Sequence, residues 1–177
     1  MEKMGFVVRK AVVGDTEEIR LLAKEAFTMY TENAGITELV PALEETYEDV
    51  KRDIETKEVF VALSKGKIIG SVRVEIKGDS TAYLGRFGVS SLYQNNGVGK
   101  ILMNAVDDSM RKLGVTNLYL HTASRMFSLV KFYYGRGFYI ESTTKDRGYI
   151  RALLCKEYEK SKVEDPIHNT YENLAVV

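Results

Sequence analysis

The amino-acid sequence predicts one α/β domain of the α+β kind, with a mixed, largely antiparallel sheet of about seven strands flanked by helices. Three observations carry this. Short β-branched and aromatic runs alternate with amphipathic stretches in the order β-α-α-β-β-β-α-β-α-β-β. Three of the strands follow one another directly and call for antiparallel pairing, whereas the strand-helix-strand from Thr81 to His121 needs a parallel crossover. Finally, 177 residues, 45% hydrophobic and 28% charged, suffice for one core and are short for two.

The first strand is read from Phe6 to Ala11. Asp15 follows as an N-cap with Glu18 as its capping-box partner, opening a helix whose apolar stripe is Ile19, Leu22, Ala23, Ala26 and Phe27. Asn33-Ala34-Gly35 ends it, and a second helix is expected from Pro41 to about Lys57. Val59 to Leu63 and Ile68 to Ile76 flank the turn Ser64-Lys65-Gly66-Lys67, and Thr81 to Val89 completes a three-stranded meander. From Val98 to Leu113 the period turns helical, with Val98, Ile101, Leu102, Ala105, Val106 and Met110 on one side and Gly114 as the stop. Leu118 to His121 is a strand, Met126 to Tyr134 a helix, and Phe138 to Thr143 and Ile150 to Cys155 are two strands. The domain is expected over 1–156, with 157–177 a tail or packing arm.

Composition removes several function classes. Lysine and arginine number 25, as do aspartate and glutamate, so no net field gathers nucleic acid. The one cysteine, Cys155, sits in an apolar run and excludes an intrachain disulfide or a cysteine-rich zinc site. With only His121 and His168, a histidine metal cluster is not expected either. No stretch approaches the ~20 apolar residues that span a bilayer, and Met1 to Gly5 does not resemble a signal peptide. These features lead to the expectation of a cytoplasmic protein without a nucleic-acid, membrane or metal partner.

The informative segment runs from Phe87 through Gln94-Asn95-Asn96-Gly97-Val98-Gly99-Lys100 into the long helix. The first amides of a helix lack internal partners and carry partial positive charge, so this is an anion seat. Gly97 and Gly99 let a phosphate approach the backbone, Asn95 and Asn96 add donors, and Lys100 adds charge. A Walker A loop would need glycine where Gln94 stands and Ser or Thr where Ile101 stands. The spacing of a dinucleotide fingerprint is likewise absent.

The segment resembles the Q/R-x-x-G-x-G/A motif of the GNAT acetyltransferases, and Tyr133-Tyr134-Gly135-Arg136-Gly137-Phe138 resembles their second signature, Tyr-x-x-x-Gly-Phe. The likeness extends from about Phe6 to Lys156. It implies an N-acetyltransferase that binds acetyl-CoA and acetylates an amine by direct attack, the amine being a small molecule or a peptide. By resemblance, the loop amides hold the CoA pyrophosphate, while Phe87, Gly88 and Val89 line the pantetheine path. Gly85 and Gly88 suit a bulge or a close backbone approach there. Tyr133 takes the place of the general acid that meets the leaving thiolate; packing among Phe127, Phe132 and Phe138 is the alternative reading.

Two departures stand out. Met126 occupies a position where the family often keeps an asparagine against the CoA arm, and the strand Thr81–Val89 has no carboxylate to serve as base. His121 and Glu75 are the candidate bases, each with an ordinary structural alternative. Without a base, the chain would be a silent CoA-binding sensor. The acidic run Glu44, Glu45, Glu48, Asp49, Asp53 and Glu55 suits a polyamine, an aminoglycoside or a basic peptide, or is a solvated helix face. Arg73 and Arg86 would instead suit an acceptor bearing a carboxylate. Members of the family often pair as homodimers.

Overall fold

The computed structural model describes residues 5–38 and 40–159. The elements are β1 (Val7–Lys10), α1 (Thr16–Ala34), α2 (Tyr47–Thr56), β2 (Glu58–Ser64), β3 (Lys67–Ile76), β4 (Thr81–Val89), α3 (Val98–Lys112), β5 (Asn117–Ala123), α4 (Phe127–Tyr134), β6 (Tyr139–Thr144) and β7 (Arg151–Glu157). They form one seven-stranded sheet in the order β1-β2-β3-β4-β5-β7-β6. Only the β4–β5 pair is parallel. The predicted element order and the mixed sheet are both present.

Period-two alternation puts a helical layer on each face. In β2, Val59 and Val61 face one side and pack with Ile19, Leu22 and Val50 of α1 and α2. Phe60 and Ala62 face the other, joining Leu102, Met103, Val106 and Met110 of α3 and Tyr133 of α4. The strands between the layers read as unbroken apolar runs because both of their faces are buried.

Two helix starts differ from the sequence reading. Asp15 precedes α1, but its carboxylate accepts from Arg9 at 2.7 and 3.0 Å and from the Val12 amide at 2.9 Å, so it closes the turn before α1 and does not cap the helix. Glu18 accepts from the Ile68 amide at 3.2 Å. Partners outside the helix, Arg9 and Val12 for one and Ile68 for the other, have taken both carboxylates. The expected helix from Pro41 is a short 3₁₀ turn, Pro41–Leu43, followed by α2. Thr46 begins α2 because it forms a reciprocal box with Asp49: the Asp49 amide donates to Thr46 Oγ1 at 3.2 Å, and the Thr46 amide to Asp49 Oδ2 at 3.0 Å. The arm expected from Glu157 begins as the end of β7. Tyr158 is buried and donates to Asp107 at 2.7 Å, while residues 160–177 lie outside the described residues.

The feature that makes a site is where the sheet opens. β4 and β5 pair only at Thr81–Asn117, Ala82–Leu118 and Tyr83–Tyr119. Beyond Tyr83, β5 continues with β7 alone, and the β4 edge is left without a strand neighbour on that side. A bulge bends β4 at this point. Arg73 pairs with Gly85 and Ser71 with Gly88, so Arg86 and Phe87 together oppose Val72, and Arg86 adopts φ +51°. Gly88 has a different reason to be glycine, because a Cβ there would stand 2.8 Å from the Ala26 Cβ of α1. Gly88→Ala should therefore overpack the α1–β4 contact and destabilise the fold by about 1–3 kcal/mol, read as a lowered denaturant midpoint with an unchanged m-value.

Candidate functional site

The gap between β4 and β5 is a cavity of about 560 Å3, within the range of small-molecule and cofactor sites. Its walls are Leu84–Val89 of β4, Leu120–Thr122 of β5, the start of α3, and Met126, Leu129, Phe132 and Tyr133 around α4. Phe27 and Tyr30 of α1 and the stretch Arg147–Arg151 complete it. Of the residues expected to hold the cofactor, Phe87, Gly88, Val89, Gln94, Asn95, Gly97, Val98, Gly99, Lys100 and Met126 all line this space. Asn96 does not: its Nδ2 turns back to donate to the Gln94 carbonyl at 3.2 Å.

The start of α3 is built to be left open. Gly97 is its N-cap at φ +83°, no side chain caps the helix, and the first turn holds no acidic residue. The first i→i−4 bond runs from the Ile101 amide to Gly97 at 3.1 Å, so the amides of Val98, Gly99 and Lys100 precede the ladder. A Cβ on Gly99 would stand 3.1 Å from the Phe87 ring, so its absence lets the helix start close down on β4. Glu25 of α1 accepts from the Ser91 amide at 2.9 Å and from both Ser91 and Ser90 hydroxyls, fixing the loop from behind. These hydrogen bonds hold the Glu25 carboxyl below its usual range. Among the described residues no aspartate or glutamate lines the cavity. An uncapped helix start and a basic side chain on a wall without a described carboxylate fit a pyrophosphate.

Tyr133 is 4% exposed and sits in an aromatic group, its ring centroid 5.5 Å from both Phe132 and Phe138 and 6.2 Å from Phe87. Burial pushes its phenol well above the usual range, so the group stays protonated. Tyr134, one residue on, is exposed and its oxygen accepts from the Ile140 amide at 3.2 Å.

His121 lines the cavity and its Nδ1 lies 2.7 Å from the Tyr83 hydroxyl. Burial, then the positive charge of Arg151, lowers its pKa below 6.5, so the imidazole is neutral at pH 7. Glu75 is elsewhere. It is outside the cavity, near the end of β3, and pairs with Lys77. The expectation of Glu75 as a base is not met by this placement: β3 is buried through Val74, and Glu75 sits half-buried where the strand runs out, off the cavity wall.

The acidic run and Arg73 also resolve into structure. Arg73 is buried, its Nη1 and Nη2 donating to Glu45 at 2.9 and 3.0 Å and its Nη1 also to Asp53 at 2.8 Å. Arg86 Nε donates to the same Glu45 oxygen at 2.7 Å. Glu45 and Asp53 are thus turned inward, and Arg73 is absent from the cavity wall. Three wall features were not anticipated from the sequence. Tyr83 forms the pair with His121, the Tyr30 hydroxyl accepts from the Ala123 amide at 2.7 Å, and Arg147 and Arg151 stand together on the β5–β7 side. A tyrosine two places before a strand glycine was the available signal for the first; the others depend on contacts between distant segments.

Comparison with known proteins agrees with this geometry. The model of the acetyltransferase (GNAT) family matches residues 19–138, about two thirds of the chain. No curated protein sequence matches. Among solved structures, the chain is similar to the PaiA N-acetyltransferase of Thermoplasma acidophilum in complex with coenzyme A, at 22% identity and TM-score 0.76 over 88% of this chain and 100% of that one. It is similar to a ribosomal-protein alanine N-acetyltransferase of Escherichia coli, at 15% identity and TM-score 0.72 over 90% and 98%. A GNAT-family acetyltransferase of Staphylococcus aureus follows at 14% identity and TM-score 0.70, over 88% and 100%. No helix among the described residues is long and apolar enough to cross a membrane.

Proposed function

Since the chain belongs to the GNAT acetyltransferase family and so is an acyltransferase that uses acetyl-CoA, we propose that it acetylates an amine held between Tyr133 and the Tyr83–His121 pair. The observation that carries this is the opening of the sheet beyond Tyr83, which brings the uncapped start of α3, the Tyr133 phenol and His121 to one cavity. Acetyl-CoA supplies a thioester carbonyl, an electrophile whose leaving group is a thiolate. The amides of Val98, Gly99 and Lys100 and the Lys100 ammonium bind its pyrophosphate, and the free edge of β4 at Phe87–Val89 receives the pantetheine amides. Met126 packs against the arm where an amide side chain would otherwise bond it.

The amine arrives as an ammonium, with a pKa near ~10.4, and must lose a proton to attack. The Tyr83–His121 pair accepts it. With Nδ1–H donating to the phenol oxygen, Nε2 is the acceptor; with the phenol donating to Nδ1, the phenol oxygen takes the amine proton as its own passes to Nδ1. Either way one N–H bond of the amine breaks and the proton rests on the imidazole. The Tyr133 O–H faces the sulfur as negative charge develops and donates its proton as the C–S bond breaks; the phenolate so formed takes the second proton from the acylated nitrogen, leaving a neutral amide and restoring the phenol.

The test is release of CoA thiol from acetyl-CoA over a panel of amines, with a no-amine blank. Cys155 is fully buried and should not consume the thiol reagent. Amine-dependent release supports the reading, and CoA binding without release from any amine overturns it. The pH profile tests the base separately. A base must be unprotonated, so kcat/KM should fall as pH drops through the His121 pKa, on an acid limb below pH 6.5. His121→Gln should remove that limb and cost about a hundredfold at pH 7, with partial recovery at high pH, where free amine is abundant. An unchanged limb in this variant would rule His121 out.

A further inference from the structure

Resting on the acetyl-transfer reading above, we infer that the acceptor is an amine carrying its own carboxylate, which Arg147 and Arg151 bind on the β5–β7 side of the cavity. The charge of the cavity wall is the first argument. Four cationic side chains, Arg86, Lys100, Arg147 and Arg151, line it, and among the described residues no carboxylate does. Lys100 stands at the start of α3, and Arg86 is engaged by Glu45. Among the described residues Arg147 has no carboxylate partner. Arg151, its side chain 9% exposed, uses Nη1 alone on Asp146 at 3.0 and 3.3 Å. A guanidinium has five donors in a planar fork suited to a carboxylate, so these two groups have capacity left for an anion.

The position is also right for an acceptor. Arg151 pairs with Ala123 at the end of β5, two residues past His121. Arg147 and Arg151 line the same cavity as His121 and Tyr83, and the Asp146 carboxylate that Arg151 holds also acts on His121. On the same strand, Thr122 lines the cavity and its Oγ1 is buried with no hydrogen-bond partner. Such a hydroxyl can take a water or a polar ligand as partner. A polyamine or aminoglycoside would bring further positive charge against these arginines, with no carboxylate on the wall to receive it. Of the acidic groups that would have favoured such a molecule, Glu45 and Asp53 are bound to Arg73 instead. An amino acid in the broad sense answers both requirements, since one end supplies the nucleophile and the other neutralises the arginines.

A panel of amino acids, each beside its decarboxylated amine and its amide, decides the class. The acid of the best pair should exceed its neutral partners by about tenfold or more in kcat/KM, and Arg147→Gln should collapse that preference, chiefly through KM. Equal use of acid and decarboxylated amine, or a preference for polyamines, would overturn the inference while leaving acetyl transfer intact. So would a preference for acyl-CoA donors that themselves carry a carboxylate, because the arginines would then serve the donor. A binding measurement separates the two readings if nothing turns over. Titration of N-acetylphenylalanine and N-acetylphenethylamine into CoA-saturated protein should show the acid bound more tightly, in a manner dependent on Arg147. Such binding without turnover would sustain the acceptor class and sink the catalytic reading; no preference for the acid would sink the class.

Discussion

Tyr133→Phe should lower kcat for amine-dependent thiol release by about a thousandfold, with the acetyl-CoA dissociation constant and the thermal midpoint nearly unchanged. The substitution removes one oxygen and keeps the ring that packs among Phe87, Phe132 and Phe138. Among the described residues no hydrogen bond holds that oxygen, so its loss leaves no partner stranded, and a stability change under about 1 kcal/mol is expected. The prediction therefore separates the two readings of this residue. A core aromatic would lose neither rate nor stability on this change, whereas a proton donor loses rate alone. Stopped-flow single turnover on the variant would place the loss in the chemical step rather than in product release. If kcat falls less than about threefold, the acid must be sought elsewhere in the cavity, with Tyr30 the next phenol on its wall.

What could be read from the sequence was whatever depends on local periodicity and spacing. The strand Val59–Leu63 shows both of its buried faces as an unbroken apolar run, and the change to a 3.6-residue period at Val98 marks α3 to within one residue. The phosphate loop could be read for the same reason, since glycines, a preceding strand and a following helix are neighbours in the chain. The bases could not. Glu75 and His121 look alike as polar strand residues, and only the divergence of β4 from β5 after Tyr83 puts one in the cavity and the other outside it. Charge stayed open for the same reason: the acidic run around Glu45 and Asp53 suits either a cationic acceptor or a solvated face until Arg73, on a later strand, folds under those two residues. Capping fared likewise, because Asp15 is a sound N-cap in isolation and is taken by Arg9 from the neighbouring strand.

Gly97→Glu should abolish measurable acetyl-CoA binding, a loss of more than about a hundredfold, and with it all turnover. Two effects add. Gly97 holds φ +83°, where a side chain costs roughly 1–2 kcal/mol, and the new carboxylate would stand at the helix start where the pyrophosphate charge must sit. Nothing lies within 4 Å of a Cβ built at this position, so the variant should fold, and a circular dichroism spectrum like the parent's would show that it does. Gly97→Asn isolates the backbone effect, since asparagine tolerates the left-handed region and brings no charge. It should weaken binding only severalfold, and the gap between the two variants measures the electrostatic part. That gap should narrow as salt is raised, because a charge at an exposed helix start is screened. Equal losses in both variants would mean that loop shape alone governs the site. Retained affinity in the glutamate variant would move the pyrophosphate off α3 altogether, and the proposed positions of the thioester and of Tyr133 against it would have to move as well.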